Sequence, residues 1–269
     1  MPTIYRFDFD STGTDSIQSY IDNKSIVNIP CPSFRQFDDA ARELQDKVVP
    51  NDVVIFDTIS SALETTRGDM MLGDNPSASL WEQHGKFFGD KQFLNTYRGA
   101  QNLTLRRIRN LIARGAYAIV LAHEMEGRDP MTEIGKMAVP LVNPAMVDDL
   151  IAACSDVFRL RLLTSPVYDG ERIAIPAGKR VLYLRRTDEY TAKFHVDPDR
   201  VNPDTIPSGI IEPTMTRLVE TLNKIPRCVC IYGNPGAGKT TLAASIVQVV
   251  APNTVPKRTT HKQKTEKAS

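Results

Sequence analysis

The chain has 269 residues, 41% of them hydrophobic, so it can bury a core, and its length suits one large domain or two small ones. Its formal net charge of +1 excludes binding to polyanions through overall charge, and any nucleic-acid contact must come from local patches. The four cysteines show no metal-site spacing, which suits a reduced, cytoplasmic protein.

The N-terminus, MPTIYRFDFD, lacks a basic region followed by an apolar stretch, so no secretory signal is expected. No apolar run is long enough to span a membrane. Residues 3–9 alternate as a strand does and end in acids, Asp8 and Asp10, which alternation puts on the same side. Residues 33–48 carry helical periodicity, with Phe34, Phe37, Ala41 and Leu44 on one face. The run DVVIFD, 52–57, suits a strand buried on both faces and ends in Asp57. Residues 66–92 are expected to form a long loop with a helical piece.

A basic amphipathic helix is expected over 102–115, stopped by Gly115. Its arginines, Arg106, Arg107, Arg109 and Arg114, are read as a solvated face on a helix packed against a sheet. AYAIVLAHE, 116–124, is a second buried strand with a polar end, and the glycines and prolines of 125–143 predict a mobile loop. A helix is expected over 144–155. DVFRLRLL, KRVLYLRRT and EYTAKFHV then alternate like a meander of strands.

Prolines and a glycine mark 197–213 as a linker, and 214–225 as a short helix. CVCIY opens a further buried strand, on which Cys228 and Cys230 are read as facing opposite sides. The tail, 251–269, is basic and without periodicity, so disorder is expected. Alternating strands and helices imply an α/β fold with a mostly parallel sheet. In such sheets ligands bind at the carboxyl ends of the strands.

The strongest chemical signal follows CVCIY. Gly233, Asn234, Pro235, Gly236, Ala237, Gly238, Lys239 and Thr240 fit the phosphate-loop pattern completely, and Thr241 continues it. Glycines let the backbone wrap phosphates with its N–H groups inward. Lys239 would reach the β/γ-phosphates of ATP, and Thr240 would ligate Mg²⁺. A second acid must hold the metal's water shell, and Asp57, closing a buried strand, is the candidate.

Hydrolysis also needs a water-activating carboxylate. Asp10 and Asp8 both qualify, and both also fit solvated strand-end acids. His123, with Glu124, ends its strand where a polar group would sense the γ-phosphate; the alternative is a histidine satisfied by backbone. The segments 66–92 and 125–143 are the candidates for binding single-stranded DNA. They follow two strands flanking the nucleotide site and carry Trp81, Lys86, Phe87, Phe88, Lys91, Arg128 and Lys136.

These segments resemble RecA-like ATPases, in particular the phage-encoded kind associated with single-strand annealing and recombination. VVIFDTISSAL is similar to the family's second nucleotide motif, and YAIVLAHE to its sensor strand. VDDLIAACSDVFRLRLL and VLYLRRTDEYTAKFHVD resemble the helix, strand and late meander that follow. YRFDFDSTG resembles the strand after the phosphate-loop helix, whose acid matches Asp10. The order is rotated, because moving residues 214–250 ahead of residue 3 restores the family's sequence of motifs. The resemblance therefore implies one circularly permuted RecA-like domain. Residues 1–196 and 214–250 would build it, with 197–213 joining the family's old ends.

The resemblance further implies a homo-oligomer in which a cation from one subunit reaches the neighbour's γ-phosphate. Lys193 holds that place, and His195 stands where the family has a second cation, an arginine. The expected protein is a Mg²⁺-dependent ATPase acting on single-stranded DNA. The rivals are a ring-forming helicase or packaging motor and a nucleotide-binding module without turnover.

Overall fold

The computed structural model describes residues 1–10, 13–72, 91–128, 136–142, 144–169 and 172–251. In chain order its strands are β1 (Ile4–Asp8), β2 (Val27–Pro30), β3 (Val53–Asp57), β4 (Tyr117–Ala122), β5 (Glu124–Arg128), β6 (Lys136–Pro140), β7 (Asp156–Leu162), β8 (Val167–Asp169), β9 (Arg172–Ile175), β10 (Arg180–Tyr183), β11 (Gly209–Ile211) and β12 (Cys228–Tyr232). Its helices are α1 (Gln18–Asp22), α2 (Phe34–Lys47), α3 (Ile59–Leu72), α4 (Lys91–Ala113), α5 (Pro144–Ala153), α6 (Met215–Leu222), α7 (Lys239–Ala244) and α8 (Val247–Val250).

The apolar runs assemble one eight-stranded sheet in the order β11-β10-β7-β12-β4-β3-β1-β2. From β7 to β2 the strands run parallel. β10 is antiparallel to β7 and to β11, which makes the last three strands a meander. β12 lies inside the sheet, with β4 between it and β3.

Strand alternation splits the core into two layers. Phe7, Phe56, Val120 and Cys230 face α2, α3, α4 and α5, whereas Ile4, Ile55, Ile119 and Ile231 face α6, α7 and α8. Covered on both sides, β3 and β12 are buried throughout, which is why they read as unbroken apolar runs. Ser33 caps α2 by accepting from the Gln36 amide, and Phe37, Ala41 and Leu44 are its buried face. The basic helix packs on the sheet as expected, with Leu105, Ile108 and Leu111 in the core, but Arg107 does not belong to a solvated face: its side chain is largely buried and donates to Asp38 of α2 at 2.7 Å.

Several expectations need correction. Cys228 and Cys230 share a face, as residues two apart in a strand must, and both lie in one layer with Cys154. The segment 125–143 is not a plain loop, because β5 and β6 pair antiparallel within it. Its Gly127 is a point of close approach: a Cβ there would sit 2.5 Å from Val139 Cγ2. The helix expected from 102 begins at Lys91.

EYTAKFHV does not form a strand. Tyr190 bridges to Ala138 and Lys193 to Val157, so its backbone is divided between two elements. Residues 197–213 contain β11, because Ile210 and Ile211 pair with Leu182 and Val181 at the sheet edge. The Trp81, Lys86, Phe87 and Phe88 cluster lies outside the described residues, as does the tail beyond Ala251. Among the described residues no helix is long and apolar enough to cross a membrane.

Candidate functional site

The glycine-rich loop leaves β12 at the carboxyl end of the parallel strands. Gly233 is required there, since a Cβ would fall 2.0 Å from the Leu160 carbonyl oxygen of neighbouring β7. Gly236 and Gly238 adopt φ of 77° and 88°, which side chains other than glycine rarely accept. Lys239 folds back under this loop. Its ammonium donates to the carbonyls of Gly233 (2.8 Å) and Asn234 (3.0 Å) and lies 3.4 Å from His123 Nδ1. Burial pulls it down to about 8, against the opposing pull of Asp57, Asp10 and Glu124.

Thr240 meets Asp57, whose carboxylate accepts a hydrogen bond from it. Asp57 also accepts from Arg6 Nε at 2.9 Å. Burial raises the Asp57 carboxyl above its usual range, and Arg6 and Thr240 only partly offset this. Gly13 packs on the same threonine: a Cβ there would stand 3.0 Å from Thr240 Oγ1, and its φ is 77°. Ser16 and Thr241 hydroxyls meet at 3.3 Å. Residues 13–16, near the start of the chain, thus line the loop formed near its end.

The two candidate bases separate. Asp8 is buried and bound to Arg6, Thr14 and Asn28, so its oxygens serve a structural cluster. Asp10 is half-buried and accepts from Ser61 Oγ at 2.8 Å. Its charge reaches Lys239, His123 and Asp57, acting on the ionisation of all three.

His123 follows β4, and its amide donates to Ser60 Oγ at 2.9 Å. Ser60 Oγ donates to the Leu141 carbonyl, and the Leu141 amide returns to His123 O, so this strand end is tied to the end of the β5–β6 hairpin. Burial and the Lys239 charge hold the imidazole below its usual value. Glu124 accepts two bonds of 2.7 Å from Arg159 on β7.

No family model matches the chain, and no curated protein matches it.

The site therefore stands on its own geometry. Lys239, Thr240, Asp57, Asp10 and His123 come together from β12, β3, β1 and β4. The donors fit a hard cation, since a threonine hydroxyl beside a carboxylate is oxygen chemistry suited to Mg²⁺. The loop, with its left-handed glycines and buried lysine, fits a phosphate chain. Lys193 is not brought to this group. Its backbone bridges Val157 near the start of β7, and its ammonium donates to the Ile151 carbonyl of α5. Arg128 and Lys136 are backbone partners in the last described pair of the β5–β6 hairpin.

Arg6, Gly13 and Ser61 escaped the reading from sequence. Arg6 did leave a signal, a cation flanked by Tyr5 and Phe7 in a strand, which demands acid partners once buried. Gly13 and Ser61 left none, because only the fold brings them to the loop.

Proposed function

We propose that the chain is a circularly permuted RecA-like P-loop protein that binds Mg-ATP, hydrolyses it and acts on single-stranded DNA. The observation that carries the reading is the convergence of Lys239 and Thr240 with Asp57, Asp10 and His123 at one end of the sheet. Lys239 and Thr240 would hold the phosphates and the metal with Asp57, Asp10 would accept a proton from water, and His123 would sense the γ-phosphate. The strand order supports the permutation, since β12 sits beside β4, with β3 and β1 beyond, within one sheet. Mg²⁺ supplies charge neutralisation of the phosphate oxygens when bound.

The test is ATP turnover with and without single-stranded DNA. Stimulated turnover is expected. Unwinding of duplex with turnover would make the protein a motor, and binding without turnover a nucleotide-dependent module.

DNA binding should weaken with salt, because neutralised phosphates release counterions. Replacing Arg128 and Lys136 together with Ala should lower affinity. It should also reduce the slope of log affinity against log salt by about 1.4, at roughly 0.7 per phosphate contact on single strands. An unchanged slope would remove the hairpin from the interface.

Lys193 would act across subunits only by leaving the Ile151 carbonyl. Lys193→Ala is expected to lower turnover, with recovery on mixing with Asp10→Asn subunits that keep Lys193. Loss of melting temperature with unchanged turnover would make Lys193 a helix cap and nothing more.

A further inference from the structure

β10 begins beside the glycine-rich loop, not beside solvent alone. β7 presses on the loop's first residue through the Leu160 carbonyl, and Arg180 pairs with Leu162, two residues further along that strand. The Arg180 side chain turns onto the loop. A Cβ built on Gly238 would lie 2.8 Å from Arg180 Nε and 3.1 Å from Cζ, so the guanidinium rests against the Gly238 Cα. Glycine at 238 suits its φ of 88°, and its missing Cβ leaves the room in which this cation lies.

Arg180 is exposed at the side chain, yet its backbone is fixed. Its amide donates to Glu212 Oε1 at 3.1 Å, and its carbonyl accepts from the Glu212 amide at 2.7 Å. That carboxylate, also 3.9 Å from Lys179 Nζ, is held by backbone and lysine and not by the guanidinium. Among the described residues the guanidinium has no hydrogen-bond or ion-pair partner. A cation on a fixed strand end, laid against an anion-binding loop and left unpaired, is arranged for an anion that the loop itself holds.

We infer that Arg180 is a second cation of the nucleotide site, contacting the phosphate chain of a bound nucleoside di- or triphosphate from the same subunit. This rests on the reading of 233–240 as a phosphate loop. Lys239 then approaches from beneath the loop, within the protein, and Arg180 from the side of β10. Guanidinium geometry favours two parallel bonds to phosphate oxygens, which lysine does not supply.

The test measures binding of Mg-ATP, Mg-ADP and inorganic tripolyphosphate by calorimetry to the full chain and to Arg180→Ala, Arg180→Lys and Lys239→Ala. Arg180→Ala is expected to weaken all three about tenfold, with an unchanged melting temperature, and Arg180→Lys to recover part of the loss. If Arg180→Ala binds all three within twofold of the unaltered chain while Lys239→Ala does not, the loop reading stands and the role of Arg180 is refuted. Loss of ATP binding with tripolyphosphate binding intact would move Arg180 from the phosphates to the base or ribose, and overturn the assignment. If the unaltered chain binds neither ATP nor tripolyphosphate, the loop reading fails and takes this inference with it.

Discussion

Lys239→Ala should weaken Mg-ATP binding by about 100-fold and leave the fold standing. Two charge-assisted contacts to phosphate, at roughly 1.5 kcal/mol each, amount to that factor. The loss of stability should be small, because the lysine is held at a cost. Its folded value of about 8 lies below the ordinary lysine value of 10.5, so the fold disfavours its charge. By linkage that penalty is fully present below pH 8 and is relieved as pH rises from 8 towards 10.5. Alanine removes the penalty along with the two carbonyl contacts.

The same shift gives binding a pH signature. Phosphate beside Lys239 favours the ammonium and raises its value, so at pH 9 binding should take up a proton. At pH 7 the lysine is already mostly charged, and uptake through it should be slight. Calorimetry at pH 9 in two buffers of different ionisation enthalpy reads the uptake directly, and Lys239→Ala should abolish it. Uptake that persists in the variant would show that another group titrates.

What was legible in the sequence was whatever depends on local pattern. β3, β4 and β12 announced themselves because burial on both faces leaves no polar position. The loop announced itself because its left-handed turns admit little but glycine. The parts that were missed depend on partners distant in sequence. β11 is a short strand among prolines, and it exists because β10 offers it an edge. The β5–β6 hairpin hid behind Gly127, which reads as a loop breaker and acts as a close contact with Val139. EYTAKFHV alternates like a strand, yet its bonds are shared between Ala138 and Val157. At the site, motif spacing fixed Lys239 and Thr240. The choice between Asp8 and Asp10 required Arg6, whose partners come from β1, β2, β3 and the turn at Thr14.

That choice makes the sharpest pair of variants. Asp10→Asn should abolish turnover while ATP affinity stays within a few-fold, since the amide keeps the shape but cannot accept a proton from water. General-base catalysis of this kind is worth roughly 10²–10⁴ in rate. Asp8→Asn should do the opposite. Arg6 and Asp8 side chains are only 1% and 4% exposed, and their ion pair spans 3.0 Å. Removing the charge leaves Arg6 with Asp57 as its only carboxylate among the partners described above. Breaking a buried pair costs about 3–5 kcal/mol when no partner remains, and Asp57 should hold the loss below that. Urea unfolding should therefore show a destabilised Asp8→Asn, with turnover per folded molecule largely retained. Asp57 would then be drawn further towards Arg6, so the variant's demand for Mg²⁺ should rise, and a titration of turnover against Mg²⁺ measures this. The reverse pattern, with Asp10→Asn active and Asp8→Asn stable but inactive, would transfer the catalytic role to Asp8. It would also mean that Arg6 releases that carboxylate when nucleotide arrives.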